Sequence, residues 1–105
     1  MVELSRIGDA SKEACAFRVK AAWKVVEKAT GMNKTQFCQA CGIRLTTFNN
    51  AEAALSYPSR SVMVYLHRNH RIDFNFLLHG DMLQLPADVQ HALAEAMAEI
   101  EAGRE

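Results

Sequence analysis

Residues 33–52, NKTQFCQACGIRLTTFNNAE, leave the backbone few choices, because two segments with helical spacing of apolar residues flank a single glycine, Gly42. The spacing predicts a first helix from about Lys34 to Cys41, with Asn33 as N-cap and Phe37, Cys38 and Cys41 on one face. Gly42 enters φ > 0 without a Cβ penalty and closes that helix. Ile43 then plugs the turn, and a second helix from about Leu45 to Ala53 directs Phe48 and Ala51 inward.

The other face of the second helix carries Thr46, Thr47, Asn49 and Asn50. Short uncharged polar side chains are poor helix formers, so local propensity does not account for them. An Asn amide can bond bidentately to the adenine edge, and Thr offers a hydroxyl and a methyl suited to thymine. Two short helices about a tight turn, with such a face, outline a DNA-reading helix-turn-helix.

The rest of the chain also reads as helix, with no useful period-two alternation. Residues 11–30 form a long amphipathic helix with Val19, Ala22, Trp23, Val26 and Ala29 inward, ended by Gly31. Pro58 and Ser59 open another helix to about His70, with Val62, Met63 and Leu66 inward. A short helix from Asp73 to Leu78 has Phe74, Leu77 and Leu78 facing the core and stops at Gly80. Pro86 starts a last helix to about Ala102, on which Val89, Ala92, Leu93, Ala96, Met97 and Ile100 form one apolar stripe.

A chain of 105 residues with 50% apolar composition supports one compact core. Its longest uncharged run, from Thr35 to Ile43, is nine residues, against roughly 20 for a membrane span. The first residues lack the apolar block of a secretory signal, so a cytoplasmic location with no membrane partner is expected. The formal net charge of zero hides an asymmetry: residues 11–71 carry ten bases and three acids, whereas residues 72–105 carry one base and seven acids. A basic module joined to an acidic segment fits a DNA-binding domain with a separate partner surface.

Cys15, Cys38 and Cys41 give no repeated pair of the kind that marks a zinc site or disulfide framework. Cys38 and Cys41 spell C-x-x-C, but without a surrounding βαβ pattern; two small core residues is the simpler reading, and metal ligation together with His67 or His70 the alternative. No nucleophile–base constellation or glycine-rich phosphate loop is present, so no enzyme, cofactor or small-molecule substrate is expected.

From about Trp23 to Asp81 the residues resemble, in one register, the Cro-like, XRE-type helix-turn-helix domains of phage repressors and related bacterial regulators. The resemblance is carried by Asn33, Lys34 and Phe37 at the second helix, Cys38 at a small-residue position, Gly42-Ile43 at the turn, and Phe48 and Glu52 on the recognition helix. Pro58-Ser59 and the segment NFLLHGD, residues 75–81, extend it. Arg44 departs by replacing the usual Ser or Thr cap, and Glu27 by replacing an arginine that pairs with the acid at Glu52. Lys24 or Lys28 is therefore expected to reach Glu52, or the first helix to shift by a turn; His67 and His70 stand where the family is usually apolar and read as partly buried, hydrogen-bonded histidines.

The resemblance implies an all-α chain: a compact five-helix repressor-like domain over residues 11–81, then the C-terminal amphipathic helix within residues 82–105. It places Leu45, Thr46, Thr47, Asn49 and Asn50 toward the bases of the major groove, and Asn33, Lys34 and Arg44 near the phosphates. Such regulators usually bind an inverted-repeat operator in double-stranded DNA as homodimers. With the family core complete by Asp81, the stripe of Val89, Leu93, Met97 and Ile100 is the expected dimer interface; the alternative is that it folds back onto its own domain. The implied function is a sequence-specific transcriptional regulator, most simply a repressor. The alternative is a protein-interaction module, an anti-regulator that keeps the fold without specific DNA binding; the neutral total charge, the missing cap and apolar Leu45 at the reading edge support it.

Overall fold

In the computed structural model, which describes residues 9–103, six helices and no strand are found among the described residues. Helix α1, Lys12–Thr30, starts where the Ser11 hydroxyl accepts from the Ala14 N–H at 3.1 Å and ends at Gly31, in the left-handed region at φ 74°. Cys15, Arg18, Val19, Ala22, Trp23 and Val26 recur on its buried stripe, and Ala14, Ala16 and Ala21 widen that stripe. Their small side chains let other helices approach closely, which makes α1 the axis of the fold.

Helix α2 spans Lys34–Cys41, α3 Leu45–Glu52, α4 Arg60–His70, α5 Phe74–His79 and α6 Ala87–Glu101. Helices α3, α5 and α6 all pack on α1, while α4 bridges α2 and α5. The caps explain the boundaries: Ser59 and Asp73 accept from the N–H groups of Val62 and Phe76 at the starts of α4 and α5, and Gly80 ends α5 at φ 82°. One apolar cluster runs through every helix and also takes in Ile72 and Leu85 from the connections.

Three inward assignments need correction. Ala29 is exposed. On α5, Phe76 and Leu77 are the fully buried pair, whereas Phe74 and Leu78 are half-buried. A helix of six residues offers the core less than two turns, and the pair it buries is Phe76 and Leu77. Phe74 rests at the edge, its ring 6.1 Å from that of His67.

Of the two readings of the α6 stripe, the packing follows the one in which it folds back onto its own chain. Val89, Leu93 and Met97 are 5%, 0% and 4% exposed, and Ile100 packs partly buried against the same cluster. The stripe assigned to a dimer interface is therefore covered by α1 of its own chain, and α6 completes the core that the resemblance closed at Asp81. The radius of gyration of 12.4 Å matches the about 13 Å of a compactly folded chain of this length. Electrostatics match the docking: Glu99 lies 3.5 Å from Lys24 and 2.7 Å from Lys28, and Asp88 lies 2.6 Å from Arg71. The acidic C-terminal segment thus neutralises bases of its own chain. Among the described residues no helix is long and apolar enough to cross a membrane.

Candidate nucleic-acid interface

Helices α2 and α3 are fixed by a sequence of local devices. Asn33 Oδ1 accepts from the Gln36 N–H at 2.8 Å, and Gln36 Oε1 accepts from the Asn33 N–H at 3.0 Å, closing a capping box. At the other end Gly42, at φ 78°, and Ile43 donate their N–H groups to the carbonyls of Gln39 and Cys38, at 3.1 and 3.0 Å. These bonds satisfy the last carbonyls of α2 and turn the chain straight into α3. Arg44 stands at the α3 N-cap in extended conformation, and no side chain caps the first turn.

The orientation of α3 is set by an aromatic cluster. Phe48, 1% exposed, meets the Phe37 ring edge-on at 5.4 Å and the Trp23 ring at 6.3 Å. Phe37 in turn lies 5.1 Å from Trp23 and 5.5 Å from Tyr65 of α4. Each such pair contributes about 0.5–1.5 kcal/mol beyond burial, so α1, α2, α3 and α4 are joined at one point. With Phe48 and Ala51 inward, the rotation of about 100° per residue directs Thr46, Asn49, Asn50 and Ala53 outward. Leu45, 40% exposed, and Thr47 flank that ridge on its two sides.

The structure thus brings all five expected base-reading residues to one exposed helix. The three expected phosphate contacts fare differently. Arg44 is exposed at the leading end of α3, and Asn33 is exposed with its carbonyl oxygen engaged in the cap. Lys34 is occupied: its Nζ lies 2.5 Å from Glu52 Oε1 and 5.9 Å from the Phe48 ring centre. Glu52, with a side chain only 12% exposed, therefore takes its cation from the start of α2; Lys24 and Lys28 go to Glu99. Residues 18 positions apart on two helices gave no local signal of this pairing.

Ala54 adopts φ 63°, a left-handed conformation uncommon for a residue with a Cβ, and the following N–H of Leu55 reaches back to the Asn50 carbonyl at 2.9 Å. The turn exposes Leu55 and Tyr57, at 70% and 50%. Lys12 Nζ sits 5.9 Å above the Tyr57 ring.

The thiols are poor nucleophiles here. Burial pushes all three up, and Cys41, with a further contribution from Cys38 beside it, reaches about 12. They stay protonated at neutral pH, and Cys38 is core. Cys41 is half-buried, His67 exposed and His70 half-buried. Among the described residues no three His, Cys, Asp or Glu side chains gather as a metal site. The His67 and His70 rings contact Phe74 and Tyr65, at 6.1 and 6.0 Å. The chain matches no family model, no curated protein and no solved structure.

Proposed function

We propose that the chain is a sequence-specific double-stranded DNA-binding transcriptional regulator, most simply a repressor, in which α2 and α3 act as a helix-turn-helix and α3 enters the major groove. The observation that carries this reading is the α3 ridge: Thr46, Asn49 and Asn50 are exposed and uncharged on a helix held rigidly from behind by Phe48. A merely solvated helix face is ordinarily built from Glu, Lys, Gln and Ala, which favour the helix. Asn and Thr disfavour it, and they are the side chains that bond base edges. The uncapped start of α3 presents backbone N–H groups with Arg44 beside them, a combination that suits a phosphate oxygen.

A homodimer on an inverted repeat remains part of the proposal, since one module of this size contacts too little DNA for high specificity. Its contact surface lies outside the α6 stripe, which the core has used. Footprinting on the DNA upstream of the protein's own gene, at two salt concentrations, tests the reading. Protection of an inverted repeat that fades at higher salt is expected, because phosphate contacts release counterions. Absence of protection at every concentration would favour the second reading, a protein-interaction module. The exposed Leu45, Leu55 and Tyr57 support that second reading, as does the engagement of Lys34 by Glu52.

A further inference from the structure

We infer that the half-site read by α3 is rich in A·T pairs at the positions facing Thr46, Asn49 and Asn50, an inference that rests on the DNA-binding reading above. Guanine is read most strongly by Arg or Lys reaching O6 and N7, and cytosine by a carboxylate accepting from N4. The outward ridge of α3 has neither. Its exposed members are Thr46, Asn49 and Asn50, flanked by Leu45 and Thr47 and followed by the C-cap residue Ala53. The one carboxylate of the helix, Glu52, is turned away and held by Lys34 at 2.5 Å. The neighbouring cation, Arg44, precedes the first helical turn and stands in extended backbone, off the ridge.

What remains on the ridge matches A·T. Two Asn amides each present a donor and an acceptor in the geometry of adenine N7 and N6. The methyl groups of Thr46 and Ala53, with Leu45 at the leading edge, offer apolar contact to the thymine C5 methyl. Leu45 is 40% exposed at the start of α3, which leaves part of its side chain free to meet a thymine methyl.

The test is selection of the full chain against a random double-stranded DNA pool at fixed low salt. Binding is then measured on the selected half-site with uracil replacing thymine and 7-deazaadenine replacing adenine. The expected result is an A·T core whose affinity falls about three- to four-fold for each contacted methyl removed. Affinity should also fall roughly five-fold or more where an Asn loses adenine N7. Asn49→Ala and Asn50→Ala should each erase the preference for adenine at one position. A specific motif with G·C pairs at the core would overturn the inference while leaving the regulator reading in place. So would an A·T core indifferent to both modified bases, since groove shape would then be its source. Retention without enrichment of any sequence would remove the regulator reading, and the inference with it.

Discussion

The guanidinium of Arg18 lies so close to Gly80 that a Cβ there would sit 2.9 Å from Nη2 and 3.1 Å from Cζ. Arg18 is 3% exposed, so making room for a Cβ means moving a buried guanidinium. Beside it the Cys15 thiol points at the Leu78 carbonyl at 3.8 Å, which places one buried cation and one thiol of α1 against the end of α5. Burial pushes that thiol up, and the Arg18 charge offsets part of the rise.

Two glycines with nearly the same backbone therefore differ in what a methyl would cost. Gly42, at φ 78°, has nothing within 4 Å of an added Cβ, whereas Gly80, at φ 82°, has the Arg18 head. Gly42→Ala should destabilise by about 1 kcal/mol from backbone conformation alone, and Gly80→Ala by about 2–3 kcal/mol. Urea denaturation measures both. In an Arg18→Ala background the excess at Gly80 should vanish; an unchanged excess would mean that the guanidinium is not its source.

Leu93 offers a direct check on where α6 belongs. It is fully buried within the chain's own core, and Leu93→Ala should cost about 2–5 kcal/mol. The loss should be the same at low and high protein concentration, since its own chain already covers the residue. A loss that changed with concentration, beyond any shift shown by the unsubstituted chain, would restore Leu93 to an interface between copies. Truncation after Gln84 should unfold the chain, because it removes the covering of α1.

Much of the helical layout was legible because the punctuation is local. Asn33, Ser59 and Asp73 cap, Gly31, Gly42 and Gly80 stop, and each signal needs only four or five neighbouring residues. The α3 ridge was legible for the same reason: burying Phe48 and Ala51 fixes what points outward. What could not be read depends on which helix faces which. The α6 stripe has the same periodicity whether α1 or a second chain covers it. Lys34 and Arg18 both count as +1 in a charge profile, yet one closes on Glu52 and the other is buried beside Gly80. Ile72 and Leu85, both core residues, sit in connections where no periodicity marks them.

His70 gives the fold a pH dependence on the mildly acidic side of neutrality. Burial lowers its pKa from the ordinary 6.5, so the folded chain prefers the neutral ring while the unfolded chain takes up a proton. A lowered histidine leaves stability intact above about 6.5 and erodes it as pH falls from there through the folded value. The exposed pairs Lys28–Glu99 and Arg71–Asp88 add a separate loss at lower pH, since their carboxylates are held below the usual range. Thermal midpoints should therefore decline as pH falls below about 6.5. His70→Gln should flatten that decline without altering the more acidic one; an unchanged slope would assign the loss to another group.

Arg44 and Lys34, both read from the sequence as phosphate contacts, should separate in a salt titration of operator binding. Arg44 is exposed at the uncapped start of α3, and its replacement by Ala should weaken binding on every sequence and reduce the salt slope by about 1. Lys34 is engaged with Glu52, whose side chain is 12% exposed, so Lys34→Ala strands a largely covered carboxylate. The expected result is a stability loss of about 1 kcal/mol, after discounting for the 40% exposure of the lysine, with the salt slope unchanged. Glu52→Gln should recover that stability in the Lys34→Ala background, because the charge left without its cation is then gone. A salt slope that fell with Lys34→Ala would show the lysine leaving Glu52 for a phosphate on binding, and would make the pair a contact released by DNA instead of a brace between α2 and α3.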